Sequence, residues 1–119
     1  MMKNLAPDIT RQRLLIEGIF STDLDEERIA AYLEGLAVHL ALRTYGQATI
    51  HATSGEGKAE NEGFDAFIPL IDSGISLYVW SEKKFFAVLL FTCKHFDTED
   101  AVAYTRRFFS AEQIVHQSF

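Results

Sequence analysis

Residues 72–93, DSGISLYVWSEKKFFAVLLFTC, limit the possible folds more than any other stretch of the chain. Val79-Trp80 and the run from Phe85 to Phe91 are aromatic and β-branched, and polar Ser81-Glu82-Lys83-Lys84 separates them. Runs of that kind around a short polar corner pair as antiparallel strands, so the stretch predicts a β-hairpin. It also holds the only tryptophan, Trp80, and the only cysteine, Cys93.

The remaining segments supply a sheet for that hairpin and two helices to cover it. Residues 11–20 contain an apolar run too short for an ordinary helix and predict a first strand. Ile29, Leu33, Leu36, Ala37 and Leu40 recur at helical spacing, which predicts a helix over 25–43, opened by an Asp23/Glu26 capping box. His39 near its end suits the helix dipole. Residues 48–53 alternate as a half-buried strand. Residues 54–63, with three glycines and three glutamates, predict a mobile loop whose spacing and charge do not fit a phosphate loop. Residues 64–71 predict a third strand, placed at a sheet edge or a bulge by Pro69, which cannot donate to a ladder. Thr98 is read as the cap of a second helix carrying Ala101, Val102, Thr105, Phe108 and Phe109, broken at 110–112, and 113–119 predict a last strand. The order β-α-β-β-β-β-α-β predicts an α+β two-layer sandwich over residues 1–119, an antiparallel sheet with both helices on one face.

With 119 residues the chain is expected to form one domain around one core. Its ten phenylalanines suggest a well-filled core or a buried subunit interface, and the Phe-rich hairpin, which one two-layer protomer does not fully cover, gives the expectation of a symmetric dimer through the sheet. A net charge of −6 excludes nucleic acid as the expected partner, since a phosphate backbone is bound by clustered Lys and Arg. One cysteine cannot close an internal disulfide, no metal site is read, and no apolar run nears 18 residues. The chain is read as cytoplasmic, with no membrane partner.

Ser73, Ile75, Ser76, Trp80, Glu82 and Phe91-Thr92-Cys93 stand at intervals that resemble the prokaryotic S-adenosylmethionine decarboxylases. Members of that family make a pyruvoyl cofactor from one of their own serines. The resemblance implies the two-layer fold, cleavage between Asp72 and Ser73, Ser73 as the pyruvoyl precursor and Cys93 as proton donor. It places Tyr78 at the position of the self-processing histidine, Asp72 at that of a glutamate and Gly74 at that of a histidine. Asp65 falls where the family has a small hydroxyl residue. Trp80, Glu82, Glu17 and Asp65 are the implied substrate positions, although a carboxylate such as Glu17 inside a strand ordinarily faces solvent or pairs with an arginine. The family covers its substrate with an aromatic from the 54–63 segment, and no aromatic occurs here between His51 and Phe64.

The chemistry the resemblance implies begins with attack of the serine hydroxyl on the preceding carbonyl, giving an ester. Loss of the serine Cα proton then eliminates the ester. A histidine, near 6.5, exchanges protons at neutral pH, whereas a tyrosine phenol, near 10, is about one part in a thousand ionised there. A positioned base is worth about 10²–10⁴ in rate, so Tyr78 predicts slow or failed processing unless His51, His95 or His116 substitutes. Two classes of function follow. One is a pyruvoyl-dependent decarboxylase of S-adenosylmethionine in polyamine (spermidine) biosynthesis, or of another amino acid such as arginine or ornithine. The other is an unprocessed paralogue without the cofactor, binding a small ligand or regulating an active homologue.

Overall fold

The computed structural model describes residues 2–119. Six strands, β1 (Gln12–Ile19), β2 (Thr49–Ser54), β3 (Glu62–Leu70), β4 (Ser73–Trp80), β5 (Phe85–Thr92) and β6 (Gln113–Ser118), form one antiparallel sheet in the order β2-β3-β4-β5-β1-β6. Helix α1 (Glu26–His39) follows β1, and α2 (Thr98–Phe109) follows β5. The expected hairpin is β4–β5, with Trp80 opposite Phe85, Ser73 opposite Thr92, and the turn at 81–84.

Strand alternation separates the two faces of this sheet. Leu14 and Ile16 of β1, Ile68 and Leu70 of β3, Ile75 and Leu77 of β4, and Phe86, Val88 and Leu90 of β5 point to one side and are fully buried or nearly so. Ile29, Leu33 and Leu36 of α1, with Ala101 and Phe109 of α2, pack on them in one core. Phe109 joins the layers, with its ring 4.3 Å from that of Phe86 on the sheet and 4.6 Å from that of Tyr32 on α1. Tyr32 lies within 2.7 Å of the Thr105 hydroxyl, which donates to the Ala101 carbonyl, so the phenol is the donor of the first bond. Burial pushes the Tyr32 phenol well above its ordinary value.

Several boundaries differ from the expectation. Helix α1 is capped by Asp25, which accepts from the Arg28 N–H, and not by an Asp23/Glu26 box. It stops at His39 because Ala41 turns left-handed, at φ 57°, and sends Leu42 into the core, where its N–H bonds the Ala37 carbonyl. Asp97, not Thr98, caps α2 by accepting from the Asp100 N–H. Residues 55–61 form two single 3₁₀ turns, and Glu62 and Gly63 already belong to β3. His39 is exposed and its ring lies 5.1 Å from that of Tyr104.

The placement of Pro69 at an edge or bulge is overturned, since β3 lies between β2 and β4 and Pro69 pairs in register with Gly74. The Pro69 carbonyl accepts from the Tyr45 N–H at 3.1 Å. Within a strand, N and O of one residue point the same way, so the missing donor faces the 43–45 segment beyond the end of β2 and costs the β3–β4 ladder nothing.

Candidate functional site

The β3–β4 connection is two residues long, Ile71 and Asp72, because Leu70 is already opposite Ser73. Ser73 carries φ 129°, a region that side chains other than glycine's rarely enter. Backbone held there costs roughly 1–3 kcal/mol and persists only where the surroundings enforce it. The enforcement is visible in the two residues just before Ser73. The Asp72 carbonyl accepts the Cys93 N–H at 2.9 Å, and the Ile71 N–H donates to the Arg43 carbonyl at 2.8 Å. The Asp72 carboxylate is buried, and Arg43 holds it through its backbone N–H and through its guanidinium, each at 3.3 Å. Those two bonds hold the Asp72 carboxyl below the usual 3.8.

Cys93 follows β5 directly and is exposed, so the thiol-bearing residue adjoins the Asp72–Ser73 bond. Next along β4, Gly74 lies beneath the ring of Phe67. A Cβ on Gly74 would stand 2.6 Å from Phe67 Cε1 and 2.7 Å from Cζ, so only glycine admits the ring where it lies. Phe67 is 43% exposed and presents an aromatic surface next to the Ser73 corner. Sequence reasoning missed this because it sought the aromatic on the 54–63 loop. The available signal was alternation, since Phe67 shares a strand face with Asp65.

The open face of the sheet carries a second group. His51 is opposite Asp65, Asp65 opposite Tyr78, Tyr78 opposite Ala87, and Ala87 opposite Glu17, a row running across five strands. Thr49, His51, Asp65, Phe67, Ser76 and Tyr78 line one shallow groove there. Of the three histidines considered as substitute bases, His51 alone lines this groove. His95 is in the exposed loop before α2, and His116 is exposed on the edge strand β6, opposite Ile16. Glu17 is half-buried and lines a groove with Phe85 and Ile114.

The expected site residues therefore fall into separate places in one chain. Ser73 and Cys93 share one end of the β4–β5 hairpin. Tyr78 is five residues further along an extended strand, roughly 16 Å away at ~3.3 Å per residue. Trp80, its ring 5.2 Å from that of Phe85, and Glu82, exposed in the turn, lie at the opposite end of the hairpin. Around these residues the open face is strongly apolar: Ile19, Phe67, Tyr78, Phe91 and Val115 are all exposed large side chains. Among the described residues no group of three or more His, Cys, Asp or Glu is placed to hold a metal ion, and no helix is long and apolar enough to cross a membrane.

The six-stranded antiparallel sheet with two helices on one face defines the class, an α+β two-layer sandwich. It is the fold of the adenosylmethionine decarboxylase from Aquifex aeolicus, whose crystal structure superposes with a TM-score of 0.71 at 20% identity, over 93% of this chain and 89% of that one. The family model for S-adenosylmethionine decarboxylase matches residues 20–119, and the chain belongs to that family. A search of curated proteins gave no match.

Proposed function

We propose that this member of the family retains the acyl-shift half of pyruvoyl self-processing at Asp72–Ser73 and stalls at the elimination half. The observation that carries the reading is the positive φ of Ser73 next to a carbonyl already bonded to the Cys93 N–H. Addition of Ser73 Oγ to the Asp72 carbonyl carbon moves negative charge onto an oxygen that has a fixed donor, and breaking the C–N bond releases the backbone strain. The hydroxyl proton ends on the Ser73 amine, and the product is an ester. The next step removes the Ser73 Cα proton and expels the Asp72 carboxylate; water then displaces ammonia to leave a ketone at the new N-terminus. Tyr78 occupies the place of the family's histidine, and a phenol is a poor acceptor at neutral pH.

A pyruvoyl group at Ser73, once formed, supplies the electron sink for loss of carbon dioxide from an amino acid. Cys93 beside it is the proton donor in this reading, and Phe67 replaces the missing loop aromatic as the surface against a cationic substrate, worth about 1–2 kcal/mol when desolvated. Because Ser73 and Tyr78 are roughly 16 Å apart on one strand, the site is completed by a second copy seated on the apolar open face. That copy brings its own Tyr78, Asp65, Trp80 and Glu82 towards the Ser73 of the first. An active homologue offering the same face pairs equally well, which is the route by which an uncut chain acts as a regulatory partner.

One observation favours a substrate other than S-adenosylmethionine. Asp65 presents a carboxylate to the groove with no ion-pair partner among the described residues, beside His51, Ser76 and Tyr78. A carboxylate in that position accepts charge-assisted hydrogen bonds from the N–H groups of a guanidinium or ammonium side chain, as in arginine or ornithine, and a sulfonium has no such donor.

The test is intact mass at neutral pH over several days, for the wild type and for Tyr78→His. The expected result is an uncut wild type and slow, partial conversion of the variant to fragments 1–72 and 73–119, with weak carbon dioxide release from labelled S-adenosylmethionine. Rapid cleavage of the wild type refutes the stalled step. Complete cleavage of Tyr78→His with strong turnover on S-adenosylmethionine refutes the altered substrate site.

A further inference from the structure

We infer that Arg43 is a positioning residue that holds the Asp72–Ser73 junction ready for the acyl shift. The inference rests on Ser73 being the residue that shifts. Asp72 is the only charged residue among the buried polar ones, and it forms the one ion pair found among the described residues. Both of its carboxylate oxygens are taken by Arg43, one by the guanidinium and the other by the backbone N–H. Residues 43–45 also run along the end of β3. Thr44 bridges to Leu70, Tyr45 N–H bonds the Pro69 carbonyl, and Arg43 carbonyl accepts from Ile71. Arg43 therefore fixes the side chain of Asp72 and the backbone just before it, while Cys93 fixes the carbonyl. The left-handed turn at Ala41 delivers Arg43 to this corner.

The chemical consequence comes from where charge develops. As Ser73 Oγ adds, the Asp72 carbonyl oxygen becomes an anion on the residue that already carries a carboxylate. The guanidinium offsets that carboxylate, and the Cys93 N–H receives the new charge. Lys94, whose Nζ bonds the Ala41 carbonyl at 2.8 Å, is the other cation near the corner. Without the Arg43 guanidinium the 8%-exposed carboxylate keeps only the backbone N–H of residue 43 and turns toward water, which loosens the carbonyl from the Cys93 N–H and lets Ser73 relax.

Hydroxylamine reads this step without any need for elimination. It attacks the ester at the Asp72 acyl carbon, leaving a hydroxamate on fragment 1–72 and a free amino-terminal serine on 73–119. The full chain is incubated with neutral hydroxylamine and fragment formation followed by intact mass, with folding checked by circular dichroism. Wild type is expected to be cut at 72/73. Arg43→Met is expected to be cut about tenfold more slowly, the lower end for a charged hydrogen bond because the guanidinium is largely exposed, and Arg43→Lys to fall between them. In the Asp72→Leu background, which has no side-chain carbonyl to form a succinimide, the slowing by Arg43→Met is expected to disappear, which a purely structural role for Arg43 does not predict. Equal rates for wild type and Arg43→Met, or unchanged slowing in the Asp72→Leu background, overturn the role of Arg43 alone. If Arg43→Met does not fold, Arg43→Lys cut as fast as wild type overturns it. A wild type that hydroxylamine does not cut overturns the acyl-shift reading, and the inference with it.

Discussion

Replacing Gly74 with alanine tests whether the Phe67 ring belongs where the structure puts it. The new methyl would stand 2.6 Å from Phe67 Cε1. Carbon atoms rest at about 3.5–4.0 Å, so the ring must withdraw by about 1 Å. Overpacking costs about 1–3 kcal/mol, and the low half of that range applies because Phe67 is 43% exposed and has solvent to move into. Against this, alanine in a strand gains roughly 0.5–1 kcal/mol over glycine, and Gly74 has no positive φ to forbid it. Gly74→Ala alone should therefore destabilise by about 0.5–1 kcal/mol, being the difference of those two effects. In a Phe67→Ala background the clash is gone, and the same substitution should stabilise by roughly 0.5–1 kcal/mol. The sign reverses, and the coupling between the two positions is about 1–2 kcal/mol. Urea unfolding followed by Trp80 fluorescence, at one protein concentration and with unchanged m, measures all four corners of the cycle. Stabilisation by Gly74→Ala in both backgrounds, with coupling inside the additivity error of about 0.5 kcal/mol, would refute the placement of Phe67 over the Ser73 corner and its role as the aromatic wall.

Two further outcomes are expected. Tyr32→Phe removes the hydrogen bond to Thr105 and should cost about 1 kcal/mol in urea unfolding. The Tyr32 phenol is raised by burial above its ordinary 10.0, so its contribution is fully present below pH 10 and is lost as pH rises beyond it; the variant should lose part of that alkaline decline, and an unchanged pH profile argues against burial of the hydroxyl. Phe91, exposed on the open face opposite Gly74, should lie within the interface between copies. Sedimentation of the wild type should then show association that Phe91→Lys weakens at least tenfold, the effect of burying one unpaired charge, and a monomer unaffected by concentration contradicts the shared site.

The sequence by itself determined the elements whose signals are local. The β4–β5 hairpin is legible because its two aromatic and β-branched runs border Ser81-Glu82-Lys83-Lys84, and pairing distant in the chain is not needed to form it. The stripe from Ile29 to Leu40 likewise fixes which face of α1 is buried. The Ser73 to Cys93 interval carried the family, because both residues end at one corner of that same hairpin. Apart from the two helix caps, which were local choices between neighbouring residues, the expectations failed where a long-range partner outweighed the local rule. Burial of Leu42 ended α1 before Arg43, and the position of β2 made Pro69 acceptable inside the sheet. The candidate site shows the same division most plainly. Arg43 reaches Asp72 across 29 residues, and Phe67 reaches Gly74 only because β3 and β4 are in register. The positive φ at Ser73 is imposed by the bonds to Asp72 and Ile71, and no property of the serine itself encodes it. Residue type states what chemistry a corner can do; the backbone strain and the fixed donor on which the proposed acyl shift rests exist only once the sheet has closed around it.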